Sequence, residues 1–394
     1  MGAKALRSMV PILIYHSINE PREGHVWSVL SLPPKVFEAQ MAHIRRSGMN
    51  PITLDAAQRG LTEPGTLPPR PVVVTLDDGY LDNWLFALPI LERYEIPATI
   101  FPPNEMIDRR GGLRPREGVA PGDEASFGFV TFDELRAMEA TGLLRVESHS
   151  TTHGEIICGP EILDFHHPHG DAYWIHWQLF PERKPHWLTT DYRGEIPLGA
   201  PVYRHTYAMV ERQWTPPEEE AQVCRAVVEE AGGDIFFDRD DWRETLRAAA
   251  RDAAPGDRDD PSRRESPEAY RERVLADMCE GRDELERELG HAVRFLCWPC
   301  GLFNDTTRAL AAEAGYTATL TCEQHSNHPG QDPTLLHRLY FGQDERYLRI
   351  RTDALLNLRF RGTLKSAHGS PIGKAMTVVA NRLMGAKDLF AADS

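Results

Sequence analysis

Pro71-Val72-Val73-Val74-Thr75-Leu76-Asp77-Asp78-Gly79-Tyr80 is the stretch on which the reading of the fold turns. Three valines in a row predict a buried strand, and Gly79 marks where it turns. Two adjacent carboxylates then stand at its C-terminal tip. Side chains alternate along a strand, so Asp77 and Asp78 enter different environments only if the strand ends there. Two ionised carboxylates this close also repel unless a cation sits beside them. Taken alone, Asp-Asp-Gly is equally ordinary turn chemistry. The surrounding chain has to decide.

Upstream, Val10 to Tyr15 reads as a first buried strand with His16 at its tip, and Pro33-Pro34 opens a helix carrying Val36, Phe37, Met41 and Ile44 until Gly48 stops it. Downstream come a helix over Tyr80 to Tyr94, a strand at Pro97 to Phe101 and a polar loop over residues 102–130. A helix with a capping arrangement at Thr131 to Glu134 follows, then a strand at Leu143 to Ser148. The alternation resumes after residue 266 with a long helix at Pro267 to Leu289 and a strand at Val293 to Trp298. A helix near Thr306 to Ala314 and strands at Tyr316 to Thr321 and Leu335 to Phe341 complete it. Repeated strand-then-helix units predict an α/β fold whose parallel sheet closes, or nearly closes, into a barrel. In that architecture the C-terminal strand tips carry the chemistry.

Between residues 154 and 265 the rhythm breaks, and eleven His and Trp residues fall between His166 and Trp242. This stretch reads as an insertion packed over the strand tips, with Asp252 to Arg264 as a mobile linker. Its aromatics are either local core or a wall for stacking sugars. The expected organisation is a barrel over 8–153 and 266–345, an insertion over 154–265 and a basic helical tail over 346–394.

Composition narrows the function. The chain of 394 residues is 41% hydrophobic and 26% charged, as soluble globular proteins are. A net charge of −15 argues against nucleic acid as a partner. That charge is uneven: from Arg346 to Asp388 nine basic residues face two acidic ones, a net of +7, which leaves −22 for the rest. The first residues lack the apolar run of a signal peptide and six cysteines are scattered, so a cytoplasmic protein is expected.

His149-Ser150-Thr151-Thr152-His153 places two imidazoles four residues apart just after a strand. Imidazole is a common ligand for first-row divalent metals, and two histidines with one carboxylate leave coordination positions open. A His pair alone is weak; a His pair and an Asp pair at two strand tips of one barrel are stronger together. One carboxylate completes the metal set while a second acts as general base for a bound water.

On these residues the sequence resembles the polysaccharide deacetylases of carbohydrate esterase family 4, the NodB-homology group. Thr75 to Gly79 and His149 to His153 match that family's first two motifs, and the resemblance covers about residues 8–345, interrupted by the insertion. It implies a distorted (β/α)7-type barrel with a large insertion after the second motif. It further implies Asp77 as catalytic base, Asp78, His149 and His153 as metal ligands, and zinc, with cobalt or nickel as alternatives. Trp298-Pro299-Cys300-Gly301 resembles the third motif, with Cys297 where relatives carry an orienting Arg and Cys300 where they carry Tyr; Arg294 or Arg338 would have to substitute. The backbone N–H of Cys300 would face the oxyanion, with Trp298, Pro299 and Tyr80 lining the substrate side. Leu336-His337-Arg338-Leu339 resembles the fifth motif, making His337 the general acid. No convincing fourth motif is present. His16 occupies the family's first strand tip, either as a site residue or as a hydrogen-bonded buried imidazole.

The implied activity is metal-dependent N-deacetylation of an N-acetylated saccharide. Two other readings stand beside it: a binding protein on an inactive deacetylase scaffold, and a thiol oxidoreductase built on Cys297-x-x-Cys300. The tail, mixing apolar and basic residues, is either a membrane-surface segment that brings in a lipid-linked substrate or a helix packed on the barrel with a basic outer face.

Overall fold

The computed structural model describes residues 9–21, 29–63, 65–170, 173–254, 256, 260–340 and 353–384. The described residues fall into two compact units, one drawn from 1–151, 281–301 and 315–394, the other from 152–280 and 302–314.

Strands in chain order are β1 (Ile12–Tyr15), β2 (Asn50–Pro51), β3 (Pro71–Asp77), β4 (Ala98–Phe101) and β5 (Leu144–Val146). β6 (Glu155–Phe165) and β7 (Pro201–Tyr207) belong to the second unit. β8 (Phe295–Cys297), β9 (Ala318–Leu320), β10 (Leu335–Leu336) and β11 (Leu339–Tyr340) return to the first. There the order β11-β1-β3-β4-β5 is parallel throughout, with β2 alongside β3, and β10-β9-β8 forms a second parallel set. Ser148, just past β5, bridges to Leu296 in β8, and only two residues separate β10 from β11. The strands therefore run round a closed circuit, the distorted barrel expected. The valine run explains why β3 sits at its centre: all seven of its residues are buried, so neighbours flank both edges and apolar side chains cover both faces.

Helices follow the signals in the sequence. The helix Pro34–Arg46 opens on proline, and Gly48 follows it in the left-handed region at φ 69°. The helix Phe132–Ala140 begins with a reciprocal capping box between Thr131 and Glu134. The single helix expected over 80–94 runs unbroken over 81–94, with a π-helical segment, Asn83–Ala87, leading into Leu88–Tyr94. Asn83 Nδ2 donates to the His16 carbonyl at 2.8 Å, and Asp82 accepts from Ser17 and Ile18, so this first turn is tied to the tip of β1.

Glu147, buried next to Ser148, accepts the backbone N–H of Arg294 at 2.6 Å and of Phe295 at 2.8 Å, stitching the end of β5 to the start of β8. Burial pushes its carboxyl up to about 8 despite those bonds. Folding then takes up a proton between the unfolded value near 4.5 and about 8, so stability falls as pH rises through that window and the loss is complete above it. Glu147→Gln keeps an acceptor and removes the charge. We expect its melting temperature to exceed wild type by more at pH 8.5 than at pH 5, a differential of a few kcal/mol at roughly 1.4 kcal/mol per unit. Parallel calorimetric profiles for the two proteins would contradict this.

The C-terminal helix Asp353–Ala367 packs on Pro34–Arg46, with Phe360 edge-on to His43 at 6.2 Å and Lys35 paired to Asp353 at 3.2 Å. Phe360 and Leu364 are fully buried. A Cβ on Gly362 would stand 2.7 Å from the Thr377 backbone nitrogen, which is how the next helix, Pro371–Met384, comes so close. The packed-helix reading of the tail holds for Asp353–Ala367. Pro371–Met384 leaves Ile372, Val379 and Leu383 exposed, and the expected basic residues Arg346, Arg349, Arg351 and Lys387 lie outside the described residues.

In the second unit β6 and β7 pair antiparallel, with register shifts along β6 that hide its period from the sequence. Phe165, Cys224, Val228, Phe236, Trp242 and Leu246 form its core. Trp214 is buried against Tyr203, and Trp177 meets Trp187 edge-on at 5.3 Å. These tryptophans are local core. Of the linker expected over Asp252 to Arg264, the described C-terminal end is paired: Thr215 N donates to the Arg263 carbonyl at 2.8 Å, Trp214 bridges Arg264, and Asp260 caps the short turn Pro261–Arg263.

Candidate functional site

Asp77 is the last residue of β3 and Asp78 the first of the turn, and the chain's conformation separates them as the sequence requires. Asp78 adopts φ 69°, as do Ser150 at 69°, His153 at 43° and Cys300 at 50°. Four of the six non-glycine residues with positive φ among the described residues thus lie in the three motifs, a concentration of backbone strain that marks functional turns. Gly79 is required: a Cβ there would lie 2.8 Å from that of Pro102.

Asp77 turns toward the barrel interior and meets Arg338, which is fully buried. Arg338 Nη1 donates to Asp77 Oδ1 at 2.7 Å and Nη2 to Oδ2 at 2.8 Å, a two-pronged ion pair. Burial works against ionisation of Asp77, but Arg338, His149 and His16 outweigh it and hold the carboxyl below its usual value. Of the two candidate substitutes for the missing third-motif arginine, Arg338 is the one at the base; Arg294 pairs with Asp55 near the surface. Cys297, at the position of that missing arginine, places Sγ 3.5 Å from Asp77 Oδ2 and accepts from Arg338 Nη2 at 2.9 Å.

Asp78 turns the other way. Its Oδ1 lies 3.3 Å from His149 Nε2, and Asp78, His149 and His153, all buried, can bring one ligand atom each to within 4.8 Å of one another. His149 Nδ1 lies 2.8 Å from the Cys297 carbonyl, the orientation a metal-binding imidazole takes when its second nitrogen is tied to the backbone. Burial opposes charge on His149, yet the hydrogen bond to Asp78 and the two carboxylates raise its pKa above the ordinary value. The cluster favours a positive charge, and two imidazoles with a carboxylate are the donors a zinc-type cation takes. Tyr80 stacks on Phe129 at 5.3 Å and its hydroxyl hydrogen-bonds Asp78; burial and that carboxylate push the phenol well above 10, so it stays a donor.

His16 Nε2 stands 4.0 Å from Asp77 Oδ2, with its ring edge-on to Tyr340 and a buried Nδ1 that has no hydrogen-bond partner among the described residues. It is therefore part of the cluster rather than a satisfied core imidazole. His337 is not part of it. Its Nδ1 lies 3.1 Å from Glu323 and 3.3 Å from Thr321 Oγ1, its ring faces His325, and no described contact joins it to Asp77, Asp78 or His149. Side chains alternate between β10 and β11, so with Arg338 pointing in, His337 points away. Trp298 and Pro299 are buried beyond β8, and Cys300 is exposed at that tip.

A family model described as polysaccharide deacetylase matches residues 65–174 and 262–319, both Asp-Asp-Gly and the His pair included. Over those residues the chain is similar to the NodB-type polysaccharide deacetylases that its motifs resemble. Its curated relatives include YxkH of Bacillus subtilis, assigned to the polysaccharide deacetylases, 31% identical over 147 residues that make up 37% of this chain and 44% of YxkH. Another is the poly-β-1,6-N-acetyl-D-glucosamine N-deacetylase of Escherichia coli, 25% identical over 31% of this chain and 18% of its own length. The matched region is thus under half the length of these relatives. Among solved structures, a de-N-acetylase from Aggregatibacter actinomycetemcomitans aligns with TM-score 0.51 at 20% identity, covering 84% of this chain and 94% of that one. The BpsB deacetylase domain of Bordetella bronchiseptica gives 0.50 at 20%, covering 84% and 95%. At those identities the likeness is one of fold.

Close to the site residues, sequence reasoning missed Asp82. It accepts from Ser17 Oγ at 2.6 Å, the Ile18 backbone at 2.8 Å and Asn83 Nδ2 at 2.9 Å, and burial pushes its carboxyl up to about 7. The available signal was a polar Asp82-Asn83 pair at the head of a helix otherwise apolar at Leu81, Leu85 and Leu88. The thiol-oxidoreductase reading fails on Cys297, whose burial raises its pKa well above 9, opposite to a redox nucleophile.

Proposed function

We propose that this domain hydrolyses the acetamide of an N-acetylated saccharide with a divalent metal, zinc being the best match to the donors. The observation that carries the reading is the division of labour between adjacent carboxylates: Asp77 is held ionised by Arg338, and Asp78 is gathered with His149 and His153. The activity named for the Escherichia coli relative, N-deacetylation of poly-β-1,6-N-acetyl-D-glucosamine, supports the substrate class. Contact with lipid has no support from the relatives.

A cation held by Asp78, His149 and His153 supplies Lewis acidity to the attacking water and the acetamide oxygen. Asp77 accepts the water proton; each of its oxygens has a second lone pair beyond the one Arg338 uses. The water oxygen adds to the acetamide carbon, and the Cys300 backbone N–H is the oxyanion donor in this proposal. As the C–N bond breaks, the proton on Asp77 passes to the departing nitrogen, giving the amine and acetic acid, whose remaining proton moves to the amine so that acetate and ammonium leave. The acid role expected of His337 moves to Asp77, since His337 faces Glu323 and His325.

The test is acetate release from β-1,6-linked N-acetylglucosamine oligomers by the full chain loaded with zinc or cobalt. We expect turnover that chelation abolishes and added metal restores. Stoichiometric metal with no acetate from these oligomers or from other N-acetylated sugars would favour the binding-scaffold reading.

A further inference from the structure

We propose that Arg338 decides which of two overlapping donor sets in this chain takes the metal. The inference rests on the metal reading above. One set is Asp78, His149 and His153; the other is Asp77, His149 and Cys297. Both are buried, both bring three ligand atoms within 4.8 Å of one another, and they share His149, so the two cannot be filled independently. On donor chemistry alone the sulfur-containing set is the stronger trap for a thiophilic divalent cation, because thiolate is a soft, high-affinity ligand once metal displaces its proton. A cation held there would also consume Asp77, the base of the proposed reaction.

Arg338 is what tells the sets apart. Its Nε donates to the Thr321 carbonyl at 3.1 Å, Nη1 to Asp77 Oδ1 at 2.7 Å and Thr75 Oγ1 at 3.2 Å, and Nη2 to Asp77 Oδ2 at 2.8 Å and Cys297 Sγ at 2.9 Å. All five N–H groups are committed, so the guanidinium is fixed, and it does not lose its proton. Two of the three donors of the sulfur set are therefore already bound to a positive charge. A divalent ion would have to sit beside that charge in a buried site, where Coulomb repulsion is weakly screened, or break the whole network. Asp78 meets His149 Nε2 and the Tyr80 hydroxyl instead. The thiol that replaces arginine at Cys297 brings a soft ligand next to the base, and Arg338 keeps metal off it.

Cobalt(II) reads out the ligands without reference to turnover, because a thiolate ligand adds a near-ultraviolet charge-transfer band. The full chain should take one equivalent of cobalt and show no such band. Arg338→Met should show it, and Arg338→Met/Cys297→Ser should lose it again. Arg338→Lys, which keeps the charge, should resemble wild type. Should Arg338→Met not fold, Arg338→Gln carries the same expectation. A wild-type spectrum in the charge-neutral variant, a thiolate band already present in wild type, or a band that survives loss of Cys297 would each overturn the inference while leaving the proposed function intact. Failure of wild type to bind any cobalt would overturn the metal reading itself, and this inference with it.

Discussion

Asp77→Asn is expected to lower kcat/KM for acetate release by about 10³-fold, within the range for loss of a general base, while metal content stays at the wild-type level. The amide keeps an acceptor oxygen but cannot take the water proton. It also leaves the Arg338 guanidinium, fully buried, without its counter-charge. Removing one member of a buried ion pair typically costs about 3–5 kcal/mol, so a lower melting temperature should accompany the loss of activity. Because Asp78, His149 and His153 are untouched, mass spectrometry on the folded fraction should still find the metal. Retention of most of the activity would remove Asp77 from the mechanism and with it the separation of base from ligand.

Arg338→Met should be nearly as damaging, by a different route. It leaves Asp77 ionised in a buried site without its guanidinium partner, again a cost of about 3–5 kcal/mol. Burial is the largest influence on Asp77 and acts to raise its pKa; Arg338 is the largest influence holding it down. Without Arg338 the carboxyl moves up, and below its pKa the base is protonated and idle. Where the metal stays on Asp78, His149 and His153, the acid limb of the kcat/KM profile should therefore shift to higher pH, with a fall of roughly 10²-fold near neutrality from the loss of orientation; metal that moves to Asp77 removes the base and deepens the fall. Arg338→Lys should recover part of both, since it restores charge without the paired geometry. An unchanged acid limb in Arg338→Met would show that the ion pair does not set the state of the base.

The motifs were legible because they are local. Asp77-Asp78-Gly79 and His149 to His153 each lie within five residues, at strand tips announced by valine runs and glycine. The barrel followed from strand–helix alternation for the same reason. The partner of Asp77 was not decidable, because Arg338 is 261 residues away and reaches it only through the order β11-β1-β3. Sequence left Arg294 and Arg338 open, and they differ by strand and by face, not by type. The misreading of His337 has the same origin: adjacent residues on a strand point to opposite sides, and which one points inward depends on register with β1, where Leu13 meets Leu339. The second unit was least legible. Its strand pair is broken by register shifts and its tryptophans serve a local core, so neither the period nor the composition identified what it does.

The metal ion is what the central claim depends on. Divalent metal content by mass spectrometry, on protein reconstituted with zinc, should give about one ion per chain, and His149→Ala/His153→Ala should lose it while keeping its circular dichroism spectrum. Reconstituted wild-type protein with no metal, or a double variant that binds it as well as wild type, would contradict the assignment of Asp78, His149 and His153 and the hydrolytic reading built on them.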